Sequence, residues 1–224
     1  MINKIQPVIV VSRYSEDLSW ILDYPQDFII YNKGEIINEE KIVKKARIIN
    51  TENIGGNQRD IFKFIVDNYE NLPPLVAFIQ AYPFDHCKKE FFDQYIQNSS
   101  FTPLEYYGKK PANSYERRTL SGGFLEINNN WYIDAQNTTY HQSCKYTSFD
   151  EFMKSYFKNY HHVNWIRFSP GSQYLVEKRQ ITYYKKEFWS SLLEELPKNN
   201  VTEGHIIERA FYYILKNRYK ARDK

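Results

Sequence analysis

The fold is decided by the stretch Pro7-Val-Ile-Val-Val-Ser12, a short β-branched run whose apolar residues fall on both faces of a pleated strand. A strand that is apolar on both faces is typical of a parallel sheet covered by helices on its two sides. We therefore expect this strand to lie at the centre of a sheet, with polar residues beginning at its carboxyl end.

Three more strands are predicted downstream, at Asp27-Phe-Ile-Ile-Tyr31, at Arg47-Ile-Ile-Asn50 and at Leu75-Val-Ala-Phe-Ile-Gln80. Helical spacing of apolar residues from Ile61 to Tyr69 predicts a helix between the third and fourth strands. Ser15 is predicted to cap a short helix after the first strand. Strands that alternate with helices predict an α/β fold, with a mostly parallel sheet flanked by helices.

The second half of the sequence is less regular. Phe124–Ile127 and Trp131–Ile133 are divided by three Asn residues, which predicts a small β-hairpin insertion. Ser148-Phe-Asp-Glu151 is a capping box that predicts the start of a helix. Thr202 is predicted to cap a last helix with an apolar stripe from Ile206 to Leu215. Since no linker divides the chain, we expect a single domain over residues 1–216 and a basic tail over 217–224.

Composition excludes some classes of protein. The chain has 224 residues, with 30 Lys and Arg against 27 Asp and Glu, a balance too even for a nucleic-acid binder. The N-terminus lacks the apolar core of a signal peptide, and no apolar run is long enough to span a membrane, so we expect a cytoplasmic protein. The basic tail fits either a solvated chain end or a peripheral contact with anionic lipid or glycolipid phosphate at the inner face of the membrane.

Polar residues gather where the predicted strands end, within Ser12–Tyr14, Tyr31–Gly34, Asn53–Asn57 and Gln80–His86. Ligands of open parallel sheets bind outside the carboxyl ends of the strands. Backbone amides of Asn53-Ile-Gly-Gly56, at the start of a helix, suit a diphosphate.

Three further residue groups carry possible chemistry. Asp85 and His86 follow the fourth strand, where they suit a hard metal ion or a substrate hydroxyl. Glu208 flanks the apolar stripe of the last helix and suits a general base, while Arg209 is predicted to point outward. A zinc site built from His86-Cys87 and His141-x-x-Cys144 is disfavoured, because adjacent ligands point apart.

Several of these stretches together resemble a family of uncharacterised domains found in bacteria, fungi and large viruses. The resemblance is carried by Val11–Trp20, Ile30–Gly34, Asn53–Gly55, Asn68–Tyr69, Phe78–His86, Gly171–Val176 and Ile207–Arg209. The layout of that family is similar to glycosyltransferases of the GT-A type. The resemblance therefore implies a GT-A-like, Rossmann-like single domain.

In GT-A enzymes the first strand and its turn hold the nucleotide base, and the fourth strand ends in an Asp-x-Asp metal motif. The resemblance implies that Asp85 and His86 take the metal and diphosphate place, with Mn or Mg as the ion, although Phe84-Asp85-His86 departs from Asp-x-Asp. It implies Asp85 and Glu208 as catalytic residues. The residues it implies for binding the donor are Ser12, Arg13, Tyr14, Asn32, Lys33, Asn53, Gly55, Gln80 and Gln173.

The leading hypothesis is a glycosyltransferase that uses a nucleotide-diphosphate sugar donor and a glycan or glycolipid acceptor in surface polysaccharide or glycolipid biosynthesis. Neutralising the leaving diphosphate is the main physical task of such an enzyme. Two alternatives stay open. The first is a non-catalytic sugar- or nucleotide-binding protein with a GT-A-like cleft, and the second is a metal-dependent phosphate-ester hydrolase that uses Asp85, His86 and His141.

Overall fold

The computed structural model describes residues 5–106, 108, 110–136, 145–196 and 202–222. The strands are β1 (Val8–Arg13), β2 (Phe28–Asn32), β3 (Ala46–Asn50), β4 (Leu75–Gln80), β5 (Thr102–Pro103), β6 (Glu116–Arg118), β7 (Phe124–Ile127), β8 (Trp165–Arg167) and β9 (Tyr174–Glu177). The α-helices are α1 (Glu40–Lys45), α2 (Gly56–Asn68), α3 (Lys89–Tyr95), α4 (Trp131–Gln136), α5 (Phe149–Tyr156), α6 (Lys178–Ile181), α7 (Lys186–Glu194) and α8 (Glu203–Leu215). Short 3₁₀ helices cover Ser19–Asp23, Tyr69–Asn71, Pro83–Asp85 and Pro170–Ser172.

The main sheet has six strands in the order β3-β2-β1-β4-β9-β5. Strands β1 to β4 are parallel to one another, and β9 is antiparallel to both β4 and β5. The predicted α/β class, the mostly parallel sheet and the central place of β1 are confirmed.

Two hydrophobic cores lie on opposite sides of this sheet. Val10 and Phe78 pack with the buried faces of α2, α5, α7 and α8, whereas Val11 and Ile79 pack with the first 3₁₀ helix, α1 and α3. Successive side chains of a strand point to opposite faces, so a strand buried on both faces needs an unbroken apolar run. The sequence Val8-Ile-Val-Val11 meets that requirement.

A second, antiparallel sheet of three strands has the order β6-β7-β8 and packs beside α8. The prediction that Phe124–Ile127 pairs with Trp131–Ile133 is wrong, because Trp131 begins helix α4 and β7 pairs with β6 and β8 instead. Asn130 has a φ of 60° and its side chain accepts a hydrogen bond from the Phe149 backbone N–H at 2.9 Å. The Asn-rich turn therefore leads into a helix rather than a returning strand.

Two of the predicted helix starts are confirmed, and the third is wrong. Ser148 Oγ accepts the Glu151 N–H at 3.0 Å, and Thr202 occupies the N-cap position of α8, although its side chain makes no capping hydrogen bond there. Ser15 does not cap a helix, because the 3₁₀ turn begins only at Ser19. Asp17 accepts the Ser19 N–H at 3.0 Å next to the start of this turn, which comes three residues later than predicted.

None of the helices in the described parts of the chain has the length and apolar character needed to cross a membrane. The described part of the predicted basic tail, up to 222, does not project from the domain. Tyr219 is buried, and Ala221 forms a β-bridge with Phe157 next to the end of α5.

Candidate functional site

The sheet order reverses direction between β1 and β4. The chain passes outward from β1 through β2 to β3, and then α2 returns it to the other side of β1, where β4 pairs Gln80 with Ser12. A point of reversal leaves a crevice at the carboxyl ends of the two strands, which is where open α/β sheets bind ligands.

A cleft of about 240 Å³ opens at this point, and we call it the switch-point cleft. It is lined by residues from the ends of β1, β2 and β4 and from the start of α2, namely Ser12, Arg13, Tyr14, Glu16, Lys33, Asn53, Gly56, Asn57 and Gln80. Six of the nine residues predicted to bind the donor thus line one cleft. The six are Ser12, Arg13, Tyr14, Lys33, Asn53 and Gln80.

A buried ion pair forms the floor of the cleft. Lys33 Nζ lies 2.9 Å from Asp60 Oδ2, and the two side chains are only 4% and 3% exposed. Ser12 Oγ donates to the same Asp60 oxygen at 2.5 Å. Burial raises the pKa of Asp60, while Lys33 and Ser12 oppose that rise. Lys33 is therefore held in place by Asp60 and by the Gly56 carbonyl, to which its ammonium also donates.

The start of α2 forms one wall of the cleft. Gly55 and Gly56 have φ values of 67° and 63°, a conformation that glycine adopts without steric cost. A side chain at Gly55 would also collide with the Leu196 carbonyl. This tight turn brings the first amides of a thirteen-residue helix to the cleft. Such amides carry the positive end of the helix dipole and bind anions.

The opposite wall is formed by the turn after β1. Arg13 donates from Nη1 to Asn32 Oδ1 at 2.7 Å and from Nε to the Glu16 carbonyl at 2.9 Å. Gly34 lies so close to this turn that any side chain there would overlap the Tyr14 carbonyl. Asn32 is buried, so it orients Arg13 instead of lining the cleft.

The 3₁₀ turn around Gly171 forms the lip of the cleft. Asn57 Nδ2 donates to the Gly171 carbonyl at 2.5 Å, and the Gly171 N–H donates to Glu208 Oε1 at 2.6 Å. Gly171 has a φ of 73°, and a side chain at this position would collide with Gln80. The lip therefore contacts Asn57 and Gln80 of the cleft and also binds Glu208, the predicted base.

Glu208 lies behind this lip and is not among the lining residues. Its side chain is 16% exposed, and its Oε2 is 3.4 Å from Arg209 Nη1. Burial raises the pKa of Glu208, and Arg209 and the Gly171 amide oppose the rise. A base whose pKa is closer to neutrality accepts protons more effectively under physiological conditions.

The prediction that Arg209 points outward is wrong. Its guanidinium is buried, with Nε and Nη2 donating to the two oxygens of Glu126 on β7 at 2.6 and 2.9 Å. The ring of Tyr132 also packs against it, 3.8 Å from the guanidinium carbon. The helical pattern of α8 alone could not show that the second sheet covers this side.

Three other predicted residues support the cleft from outside. Gln173 is fully buried, where it accepts the Gln80 N–H at 3.3 Å and donates to the Pro83 carbonyl at 3.1 Å. It therefore braces the end of β4. Asp85 is exposed on the 3₁₀ turn that follows, and His86 is half-buried, with its pKa lowered by burial. Neither Asp85 nor His86 is a lining residue of the cleft.

The described residues include no group of three or more His, Cys, Asp or Glu side chains that could hold a metal ion. Asp85 and His86 would thus need further ligands, such as the oxygens of a bound phosphate. A metal at this place stays a prediction. His141 and Cys144, used in the hydrolase and zinc hypotheses, lie outside the described residues. Cys87 is buried, which raises the pKa of its thiol to about 12 and keeps it protonated at neutral pH.

The residues predicted to bind the donor do not include Glu16, Asn57 or Asp60, although Asn57 belongs to the predicted polar segment Asn53–Asn57. Asp60 carried a usable signal, because it lies one helical turn before buried Phe64 on the inward side of α2. A carboxylate on an apolar face requires a buried partner, and Lys33 is that partner.

Comparison with known proteins gives one match, to a family described as "Protein of unknown function (DUF3431)", over residues 8–224. No curated protein matches the chain, and no solved structure matches it. The expectation of an uncharacterised-domain family is confirmed. Since the family covers all but the first seven residues, the chain belongs to the DUF3431 family.

Proposed function

We propose that this protein is a glycosyltransferase that binds a nucleoside-diphosphate sugar in the switch-point cleft and transfers the sugar to a glycan or glycolipid acceptor. One observation carries the proposal. Six residues from four separate stretches of sequence meet in one cleft, at the point of the sheet where α/β folds bind nucleotides.

The cleft offers a place for the diphosphate at the start of α2. Lys33 is already paired with Asp60, so the pair adds little net charge. The first amides of α2 and the guanidinium of Arg13 are therefore the groups that would face the phosphate oxygens. Hydrogen bonds from such groups to an anion are short and strong.

The nucleoside would lie against the turn after β1. Tyr14 lines the cleft and is 53% exposed, and an exposed ring of this kind stacks on a nucleobase. Glu16 is the carboxylate of the same wall, and its Oε2 is oriented by the N–H groups of Tyr14 and Ser15 at 2.8 and 3.0 Å. A carboxylate held in this way accepts hydrogen bonds from ribose hydroxyls.

Transfer would break the bond between the anomeric carbon of the sugar and the diphosphate, and form a bond to an acceptor hydroxyl oxygen. The departing diphosphate keeps the electron pair, and the amides of α2 stabilise its growing charge. Glu208 would take the acceptor's proton, since its raised pKa suits a base and the Gly171 lip holds it beside the cleft.

The test is calorimetric titration with UDP, GDP and their sugar conjugates, with and without Mn²⁺ or Mg²⁺. We expect Arg13→Ala and Tyr14→Ala to weaken binding roughly tenfold or more, from the loss of a charged hydrogen bond and of base stacking. The matched controls are Arg47→Ala and Tyr115→Ala, which remove exposed residues away from the cleft. Failure of every nucleotide to bind the unmodified protein would refute the proposal.

A non-catalytic nucleotide-sugar binder is the second candidate, because Asp85 and His86 lie outside the lining of the cleft. The two functions differ in turnover. An enzyme releases nucleoside diphosphate from its donor in the presence of acceptor or water, and Glu208→Gln should lower that rate while leaving donor affinity nearly unchanged. Tight binding with no release over many acceptors favours the binding protein.

A further inference from the structure

A second and larger cleft of about 560 Å³ lies between α7, the end of α5 and the segment 220–222. We call it the aromatic cleft. Its volume is within the range of small-molecule sites in proteins, which is about 300–1,000 Å³. The proposed transferase function does not use it.

The aromatic cleft lies towards the amino-terminal ends of the parallel strands, whereas the switch-point cleft lies at their carboxyl ends. Strand β9 runs antiparallel to β4 and ends with Glu177 beside Leu75, the first residue of β4. The chain then enters α6 and the loop to α7, where the Tyr184 carbonyl accepts a hydrogen bond from Tyr69, just beyond the end of α2. The two clefts thus lie at opposite ends of α2, so a ligand in one does not occupy the other.

The floor of the aromatic cleft consists of buried rings. Tyr184 stacks on Phe188 with 4.3 Å between ring centroids, and Tyr156 contacts Phe188 edge to face at 6.1 Å. The Tyr184 hydroxyl donates to the Tyr219 carbonyl and the Tyr156 hydroxyl to Glu195, so both polar groups are satisfied inside the protein. The floor therefore offers mainly carbon surface to a ligand.

A further ring stands at the edge of the cleft. Tyr183 packs edge to face against Tyr184 with 4.9 Å between ring centroids, yet the residue remains 50% exposed. Exposed rings beside a buried aromatic floor favour a ligand with a flat ring of its own.

Positive charge surrounds this apolar floor. Lys185, Lys220 and Arg222 are exposed lining residues, and Glu187 is the sole carboxylate among the described residues of the lining. Arg222 Nε donates to the Lys154 carbonyl at 2.7 Å, which holds the guanidinium at the cleft. An arginine has further N–H donors for an anion.

We propose that the aromatic cleft binds a small molecule that joins a flat ring to a negatively charged group, such as an aryl phosphate. The ring would lie on Tyr184 and Phe188 beside Tyr183, and the anion would contact Lys185, Lys220 and Arg222. A ligand that carries both groups is favoured over one that carries either alone. A simple anion gains nothing from the rings, and a neutral aromatic molecule gains little from the cations.

The test is a titration of the ¹⁵N-labelled full chain with phenyl phosphate, inorganic phosphate and benzyl alcohol, each followed by amide chemical shifts. We expect phenyl phosphate to bind the aromatic cleft with a dissociation constant of about 1 mM and to shift amides in 183–191 and 220–222, whatever it does at the amides of the switch-point cleft. The other two probes should bind at least about fivefold more weakly, since each lacks one of the two interactions.

Lys185→Ala and Lys186→Ala form a matched pair, because both residues are exposed and adjacent but Lys186 does not line the cleft. We expect Lys185→Ala to weaken phenyl phosphate binding about two- to fivefold, as the loss of an exposed charge contact implies, and Lys186→Ala to leave it unchanged. Tyr183→Ala should weaken binding by about two- to tenfold. The proposal is overturned if phenyl phosphate shifts none of these amides, binds no better than the other two probes, or responds equally to both lysine variants.

Discussion

Replacing Asp60 with Asn tests whether a buried ion pair holds the floor of the switch-point cleft. The substitution keeps the size of the side chain and an oxygen that can accept from Ser12 Oγ, but removes the charge that faces Lys33 at 2.9 Å. Lys33 would then be a buried ammonium with no opposite charge beside it. Both side chains are less than 5% exposed, so water cannot replace the lost carboxylate without local opening.

The expected cost is set by this burial. Removing one partner of a buried ion pair typically costs about 3–5 kcal/mol of the free energy of unfolding. For a chain of this length each kcal/mol corresponds to roughly 2–4 °C in the melting temperature, so we expect a fall of about 6–20 °C. Replacing both charges, with Lys33→Met and Asp60→Asn together, should recover about 1–3 kcal/mol of that loss.

Urea denaturation followed by circular dichroism measures these free energies. The control is Asp67→Asn, which breaks the exposed pair of Asp67 with Lys63 on the same helix, where the N–O distance is 2.8 Å. An exposed pair of this type contributes less than about 1 kcal/mol. The reasoning fails if Asp60→Asn costs no more than Asp67→Asn, or if the double variant is as unstable as the sum of its single variants.

Three further predictions concern the lip, a helix cap and pH. Gly171→Ala should lower the free energy of unfolding in urea by about 1–2 kcal/mol, because φ at this site is 73°, and should weaken nucleotide binding by displacing Gln80. An unchanged affinity would show that the lip does not shape the cleft. Ser148→Ala should lower the melting temperature by about 2–4 °C, through loss of the N-cap of α5. His162 Nδ1 lies 2.6 Å from Asp150, and this hydrogen bond raises the pKa of His162 above its ordinary value. The stability that comes from a raised pKa is present below about pH 6.5 and is lost as the pH rises through the raised pKa. His162→Asn should therefore lower the melting temperature by about 1 °C at pH 6 and not at all at pH 9, and a constant difference across that range would contradict the assignment.

Local patterns were sufficient for the first half of the fold. The apolar runs at Val8–Val11 and Leu75–Ile79 predict strands buried between two layers of helices. The Gly55-Gly56 turn marks the start of the apolar helix that connects the third and fourth strands. The same reasoning missed α1, whose single fully buried residue is Ile42. One buried residue in six leaves no period for a pattern to reveal.

In the second half, strand pairing could not be read from local sequence. Strand β7 is four residues long, and its partners β6 and β8 come from both sides of it along the chain. The Asn residues after Ile127 favour a turn, but a turn can lead into either a strand or a helix. Contacts within the folded domain, such as the hydrogen bond from the Phe149 N–H to Asn130 Oδ1, accompany the helix that begins at Trp131.

By itself, the sequence determined that polar residues end the central strands, because hydrophobic burial must stop where each strand leaves the core. It therefore indicated Ser12, Arg13, Lys33, Asn53 and Gln80 as neighbours. Only the tertiary structure decided which polar residues face the cleft and which brace it, as with Gln173, which is buried under Pro83. It also decided that Asp60 pairs with Lys33 and Arg209 with Glu126. The partners in such pairs are far apart in the sequence. A charge requires a partner only where the packed elements exclude it from water, so the pairing depends on the tertiary structure.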